Sequence, residues 1–413
     1  MTKKLICICV MFIFGVGTAS GLDFGVSIDS ATGVRHSAAS ELTVSHADTV
    51  SFWGVRYPAE SPIGFGWRAW YRYSLDRPVA FELDELYLTA RIEGDTVDAV
   101  VRTGRFSHRD WGGTVFTHAQ DGVRALISAG PADIRLFAGT TALIAGHRSA
   151  IFLSPLDEEN RDALFGSPRV VSGLGIRLPS LFPGFTPILE GIAQFETRPD
   201  DAVAYDSQYV TLRLNQSIGA ATGVEMVGSV MFMQRRDETI VGQEDLLGLL
   251  LRADLQQVVS QAAGLVLGAR GWYASGIANP ALDLGGFLLA SYQPISIHRV
   301  ATVLPISVGG TMGGRVRAAV KPFSAAEAVW LQEIQVSTQV TPVFRSTDIV
   351  EPIDQIDEDS EELYLGTEIG GGITLRPAPD FGVRIAGGVF LPGTALADTA
   401  VRWQASTNLS ISF

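Results

Sequence analysis

The last thirteen residues, VRWQASTNLSISF at positions 401–413, alternate between two kinds of side chain. Counted back from Phe413, every second residue is apolar apart from Thr407, and the residues between them are polar. A period of two places these two sets on opposite faces of a β-strand. We therefore expect one face of this closing strand to meet an apolar environment and the other to meet water.

The same alternation recurs at 63–73, 86–92, 209–215, 333–341 and 363–376, where it assigns Leu365 to the apolar face. Several runs reach about ten residues, which is long for a soluble sheet and is what a tilted strand needs to cross a bilayer. Turn-forming residues separate many of the runs, and longer connections are predicted around 106–121, 144–169, 197–207 and 345–361. The pattern predicts an all-β fold, a transmembrane antiparallel up-and-down β-barrel.

Composition excludes several classes of protein. Of the 413 residues, 46% are hydrophobic and 18% are charged, so the chain can fold around a core and is not disordered. Past residue 20, no apolar run reaches the roughly 18 residues that a transmembrane helix requires. The 44 acidic residues outnumber the 31 basic ones, which argues against a nucleic-acid-binding surface.

The first twenty residues have the pattern of a secretory signal peptide. Lys3 and Lys4 precede an apolar stretch at 5–16 and small residues at 18–21. Both cysteines, Cys7 and Cys9, lie in this segment, so we expect no disulfide and no thiolate nucleophile in the exported chain. The predicted organisation is a signal peptide at 1–20, followed by a single transmembrane β-barrel domain at 21–413.

The closing strand resembles that of bacterial outer-membrane β-barrel proteins, which end in an aromatic residue preceded by alternating apolar residues. Thr407 is the departure from that pattern. The resemblance implies that the protein is exported to the outer membrane of a Gram-negative-type cell and is surrounded there by lipid. It also implies that the barrel-assembly machinery reads Leu409, Ile411 and Phe413 as the assembly signal.

A shorter resemblance lies at 103–123. TGR at 103–105, DWGG at 110–113 and DGV at 121–123 are similar to a strand end, a glycine-rich connection and a strand start in alginate-export and related substrate-specific porins. The resemblance implies that the connection folds into a pore mouth and that four of its residues contact solute. These four are Arg105, His108, Arg109 and Asp110. A mobile surface loop is the alternative for the same stretch.

The number of strands and the lining of the lumen follow from barrel geometry. Dividing roughly 390 residues by about 24 for each strand with its connection gives about 16 strands, within a range of 14–18. A barrel of that size encloses water, and its polar faces line the lumen. The charged residues assigned to the lumen are Arg68, Arg72, Arg102, Arg213, Arg315, Arg317, Arg376, Arg384, Glu333 and Glu368.

The lumen charges are distributed unevenly along the chain. Acidic residues are concentrated before residue 230, and arginines outnumber them after residue 250. Because neighbouring strands in sequence are neighbours in the wall, we expect an acidic wall and a basic wall that face each other across water. The alternative is that the charges form ion pairs between adjacent strands around a wet pore.

The expected function is an outer-membrane channel through which small polar solutes diffuse along a charged lumen. The long connections at 144–169 and 345–361 favour an alternative, a surface-displayed structural or adhesive barrel with an occluded lumen. A hydrophobic-substrate transporter of the fatty-acid type is a third candidate. The Asn-Pro-Ala motif of those transporters precedes their first strand, whereas here it occurs at 279–281.

Few residues occur in patterns typical of catalytic or metal-binding sites. The six histidines have no metal-ligand spacing, and no Gly-x-Ser-x-Gly motif occurs. We therefore expect no enzyme activity, no catalytic residue, no cofactor and no metal. The expected partners are membrane lipid, the barrel-assembly machinery and small polar solutes, without nucleic acid.

Overall fold

The computed structural model describes residues 22–36, 42–57, 61–179, 183–197, 204–236, 244–276, 288–347, 356 and 360–413. The predicted signal peptide at 1–20 and the Asn-Pro-Ala motif at 279–281 lie outside the described residues. Within these ranges, no helix has the length and apolar character to cross a membrane.

The described residues form nineteen strands and a few short helices. The first ten strands are β1 (Leu22–His36), β2 (Leu42–Arg56), β3 (Ile63–Ser74), β4 (Ala80–Ile92), β5 (Val97–Arg109), β6 (Thr117–Ala129), β7 (Ala132–Thr140), β8 (Arg169–Arg177), β9 (Phe185–Glu196) and β10 (Ala204–Ile218). The others are β11 (Thr222–Arg236), β12 (Glu244–Ser260), β13 (Leu265–Ala274), β14 (Leu288–Leu289), β15 (Thr311–Val320), β16 (Gln335–Arg345), β17 (Tyr364–Ala378), β18 (Phe381–Pro392) and β19 (Arg402–Ser412). The α-helices are α1 (Pro155–Glu159) and α2 (Val329–Gln332), and single 3-10 turns lie at Gly146–Arg148 and Asn160–Asp162.

The strands close into an antiparallel up-and-down barrel, as predicted. Each wall strand pairs with its neighbours in the chain, and β1 pairs with β19 from Ser27↔Ser412 to His36↔Trp403. The two-residue strand β14 runs parallel to β12 and is not a wall strand, because β13 pairs directly with β15. The wall therefore has 18 strands in the described part of the chain, not about 16. The estimate was low because several connections are tight turns, such as 130–131 and 219–221, which shorten the average repeat.

The closing strand seals the barrel beyond the last paired residues. The backbone N–H of Phe413 donates to the carbonyl of Val26 at 2.8 Å, and the N–H of Val26 donates back at 3.1 Å. The side chain of Phe413 is 77% exposed on the outside. Every backbone group of a closed sheet can pair in this way, which is what a lipid environment requires.

The two faces of the wall have the predicted polarity. Leu212, Ile369 and Leu409 are about half exposed on the outer face, where an apolar surface would contact lipid. Leu365 is the exception, since it was predicted to face outward and is 1% exposed in the interior. Val343 pairs with Gly366 and Phe344 pairs with Tyr364, so Leu365 is the extra residue of a β-bulge. The bulge, with Gly366 at a φ of +140°, turns Leu365 inward.

The two ends of the barrel differ. The start of β1, the end of β19 and most of the tight turns lie at one end, which we call the turn end. The other end, which we call the loop end, carries the connections 110–116, 141–168, 275–310, 346–363 and 393–401.

Two of the long connections predicted from the sequence, 144–169 and 345–361, match loops at this end. The predicted connection at 106–121 is wrong, because β5 continues to Arg109 and β6 begins at Thr117, which leaves only 110–116 between them.

A hydrophobic core lies inside the barrel at the loop end. Tyr292, Ile295 and Val303, from the part of the 275–310 connection that the structure describes, are almost fully buried. They belong to one cluster with residues from the wall and from three other loops, among them Phe116, Ile151, Leu153, Met231, Leu250, Phe390 and Leu396. The N–H of Ser296 donates to the carbonyl of Val115 at 3.0 Å, and that of Ile297 donates to Ala150 at 2.7 Å. These hydrogen bonds join three of the loops, which fold inward together and narrow the lumen.

Candidate functional site

A cavity of about 460 Å³ lies against strands β1 to β4, and we call it the slot. The register aligns Asp29, Thr49 and Arg72 in one row across three strands. The alternation of each strand turns these side chains inward. The slot is lined by Ser27, Asp29, Thr49, Ser51, Trp53, Arg68, Trp70, Arg72, Asp84 and Arg148.

Arg148 reaches the slot from the 141–168 loop and forms one of its sides. Its Nη1 lies 2.9 Å from Oδ1 of Asp84 and 3.4 Å from Oε1 of Glu82. Its guanidinium carbon is 4.5 Å from the ring centre of Trp70, which is a cation–π distance. A β-bulge in β4 makes Asp84 an extra residue between the pairs Arg68↔Glu85 and Ala69↔Leu83. The bulge lets Asp84 reach Arg148 beside Glu82.

The 141–168 loop is fixed to the wall by a buried charge network. Arg169, at the start of β8, is 1% exposed and donates to Asp157 Oδ2 at 2.7 Å and to Glu196 Oε1 at 3.1 Å. Asp157, in α1, also accepts the backbone N–H groups of Leu153 and Ser154. Burial raises the pKa of Asp157, but the hydrogen bonds and charge of Arg169, with hydrogen bonds from Ser167 and Leu153, outweigh burial, so the pKa lies below its usual value. This network fixes the loop that carries Arg148 to the wall.

A second cavity, of about 670 Å³, opens toward the turn end and is called the vestibule. Its polar lining includes Arg213, Asn215, Glu225, Asp254, Arg270, Arg315 and Arg317. Arg270 is the cross-strand partner of Asp254 and forms an ion pair with it. Arg213 and Arg252 both pair with Glu225.

These ion pairs correct the expectation of two opposed walls. The acids Glu225 and Asp254 lie on strands β11 and β12, directly beside Arg213, Arg252 and Arg270, so they neutralise these arginines in contact. Among the described residues, neither Arg315 nor Arg317 forms an ion pair with a carboxylate. Arg317 donates to Gln256 at 3.3 Å, and Arg315 donates to Thr341 at 3.1 Å and to the carbonyl of Val300 at 2.6 Å.

The other predicted lumen residues have varied positions. The guanidinium of Arg102 lies 3.8 Å from the ring centre of Tyr87, and Arg376 and Arg384 are exposed on the inward face of their strands. Glu333 is not on a strand, since it ends α2 in the 321–334 connection and pairs with Lys321 at 2.9 Å. Glu368 is buried and hydrogen-bonded to an inward-folded loop. Contact with a solute stays a prediction for the whole set.

The four residues assigned to a pore mouth do not form one surface. His108 and Asp110 are 0% and 1% exposed, so neither is available to a solute in this structure. Asp110 instead accepts the N–H groups of Thr114 and Phe116, each at 3.0 Å, and so shapes the 110–116 loop. Arg105 is bound to Asp121 and to the carbonyls of Leu83 and Leu143. Only Arg109 is exposed.

Sequence reasoning missed Trp111, Arg148 and the inward fold of the 275–310 connection. Trp111 donates its backbone N–H to Glu190 at 3.0 Å, and its ring lies 4.2 Å from the guanidinium carbon of Arg135. The connection escaped notice because its residues 294–308 are as apolar as a strand. Within the described ranges, no group of three or more His, Cys, Asp or Glu side chains is arranged to hold a metal ion.

Comparison with known proteins supports the fold. No family model matches the chain, and no curated protein matches it by sequence. Crystal structures of outer-membrane porins from Pseudomonas aeruginosa do match. OccK5 (OpdH) has a TM-score of 0.58 at 13% identity and covers 95% of this chain and 98% of its own. OpdO has a TM-score of 0.59 at 13% identity and covers 95% and 97%.

OccK2 (OpdF), crystallised in complex with glucuronate, has a TM-score of 0.59 at 11% identity and covers 95% and 98%. At these identities the likeness concerns the fold, which is that of an outer-membrane porin barrel over nearly the whole chain.

Proposed function

We propose that this protein is an outer-membrane channel through which small polar solutes diffuse. The observation that carries the proposal is the pair of polar cavities, the slot and the vestibule, inside a closed barrel whose outer face is apolar. A barrel of this size with a polar interior ordinarily encloses an aqueous channel. The apolar outer face and the porin fold support residence in the outer membrane, where lipid surrounds the wall.

The charges of the slot favour polar and charged solutes over apolar ones. Arg68 and Arg72 project into it on one side and Asp29 on another, and Arg148 completes it from the loop. A small solute in the slot can therefore exchange hydrogen bonds to water for hydrogen bonds to both donors and acceptors. The same lining makes a hydrophobic-substrate transporter a poor fit, because an apolar solute would leave these charges unsolvated.

The barrel with an occluded lumen remains the second candidate, and one observation favours it. The apolar core at the loop end packs several connections together inside the barrel and narrows the lumen. Under this second proposal, the loop end would serve as a binding surface for a partner and solute would not pass.

Swelling of liposomes that contain the refolded protein tests the proposal. We expect swelling in small polar solutes, and we expect Thr49→Trp, which fills the slot, to slow it several-fold. Val50→Trp is the matched control, because Val50 is the next residue on the opposite face and pairs with Ile28 on the outside. Absence of swelling with the unmodified protein would contradict the channel. Equal swelling with both variants would show that the slot is not on the path.

A further inference from the structure

A short segment at 299–304, which we call the strap, reaches across the inside of the wall. It belongs to the connection between β13 and β15, yet its backbone is bound on both sides by wall strands that lie far apart. Arg315 of β15 donates to the carbonyl of Val300, and Arg35 of β1 donates to the carbonyl of Val303, each at 2.6 Å. The strap thus spans the inner face of the wall from β15 to β1.

Glu368 of β17 binds the middle of the strap. Its Oε2 accepts the N–H of Thr302 at 2.6 Å and that of Val303 at 2.7 Å, and its Oε1 accepts the hydroxyl of Thr302 at 3.1 Å. The residue is 1% exposed, so its charge faces the strap and not the water. Hydrogen bonds to a carboxylate are stronger than neutral ones, and buried backbone N–H groups need a partner.

The packing around these bonds agrees with a fixed strap. Ala301, Val303 and Leu304 are nearly fully buried. Val303 lies over Gly388 of β18, where an added side chain would approach its Cγ2 to 3.0 Å. Gln404 of β19 adds a hydrogen bond of 3.3 Å to the hydroxyl of Thr302. The wall is therefore shaped to receive the strap, and Glu368 accepts three hydrogen bonds from its middle.

We infer that Glu368 is a positioning residue, which holds the strap against the wall and so fixes the width and steadiness of the lumen beside it. The sequence alone assigned Glu368 to the lining of the lumen, and a lumen charge differs from an anchor in its consequences. A free charge acts on ion selectivity, whereas an anchor acts on the motion of the strap. The effect on conduction rests on the proposed channel function, but the position of the strap does not.

The experiment compares Glu368→Ala with Glu368→Gln, using a nitroxide label on the strap. The label is attached at Arg299→Cys, an exposed position, in the full chain with Cys7 and Cys9 replaced by serine. Alanine leaves two backbone N–H groups unbound, so we expect a clear rise in label mobility and in open-channel current noise. Glutamine can still accept both N–H groups through its carbonyl and donate to Thr302, so we expect values near those of the unmodified protein.

Glu333→Gln is the control for charge removal, because Glu333 lies on the 321–334 connection and pairs only with Lys321 among the described residues. If Glu368→Ala and Glu368→Gln change ion selectivity equally and leave label mobility unchanged, Glu368 is a lumen charge and the inference is wrong.

If Glu368→Ala does not fold, Thr302→Ala is the second variant. It removes the hydrogen bonds of the Thr302 hydroxyl from the strap side, so it should raise label mobility by a smaller amount. No rise there would also overturn the inference. Electrical silence of the unmodified protein would refute the channel, while the label would still decide the role of Glu368.

Discussion

Arginine is the main basic residue of this protein, since Lys321 is the only lysine past residue 20. The structure uses it in three ways: Arg68 lines a cavity, Arg169 is buried between two carboxylates, and Arg315 binds a loop carbonyl. The planar guanidinium, with five donors, suits all three roles. Alternation along the strands predicted the inward face of Arg68 and Arg315, which line the slot and the vestibule. It carried no information about partners, because these come from other strands and loops.

The assignment of the apolar strand face to the lipid side can be tested at Leu212, which is 46% exposed on the outer face near the middle of β10. We expect Leu212→Arg to lower the free energy of unfolding in lipid vesicles by about 2–4 kcal/mol, because lipid cannot solvate the charge. The measurement is a urea titration followed by tryptophan fluorescence.

Asn215→Arg is the control for this substitution, since Asn215 lines the vestibule, where water solvates an added charge. Thr211 is unsuitable although it is adjacent, because it is buried and bonded to Ser229 at 2.9 Å. Equal losses at Leu212 and Asn215 would mean that the outer face does not contact lipid.

At the scale of elements, strands were predictable and loops were not. A strand that separates lipid from water must alternate between apolar and polar side chains, so its sequence pattern predicts its structure. The loops at 110–116, 141–168 and 275–310 pack on one another inside the barrel, and the contacts that fix them join residues far apart in sequence. The β-bulge at Leu365 is another limit, because a single extra residue reverses the faces on one side of it.

Arg169 anchors the 141–168 loop, and its loss should release that loop. We expect Arg169→Ala to reduce the free energy of unfolding by about 3–5 kcal/mol, since it removes the buried cation that pairs with the buried carboxylate of Asp157. Urea titration measures this loss, and limited proteolysis within 141–168 detects release of the loop.

Arg77→Ala is the comparison variant, because Arg77 forms an exposed ion pair with Asp162 of the same loop. Exposed pairs contribute little to stability, so we expect almost no change. A loss at Arg169 no larger than that at Arg77 would show that the buried network does not hold the loop.

At the scale of the whole molecule, the barrel was predictable from three features of the sequence: period-two strands, tight turns and the closing alternation. Porin structures at 11–13% identity share this barrel, so the fold tolerates replacement of most residues as long as the pattern is kept. The strand count was less accurate, because it depends on an average connection length. Openness of the lumen could not be predicted, since it depends on how far loops fold inward.

The terminal residue offers a test of assembly. The side chain of Phe413 is exposed, and its backbone joins β1 through two hydrogen bonds to Val26, so the side chain adds little to the folded wall. If the terminal strand is the assembly signal, deletion of Phe413 should reduce the amount of assembled barrel in outer membranes. The stability of the refolded variant should change far less. Heat-modifiable mobility on gels measures both quantities, and normal assembly of the deletion variant would count against the signal.

The central claim is that solute passes through this barrel, and single-channel recording in planar bilayers tests it most directly. The slot and the vestibule predict discrete, stable current steps from the refolded protein, with smaller steps for Thr49→Trp and unchanged steps for Val50→Trp. A folded barrel that inserts into the bilayer and remains electrically silent would contradict the account and favour the barrel with an occluded lumen.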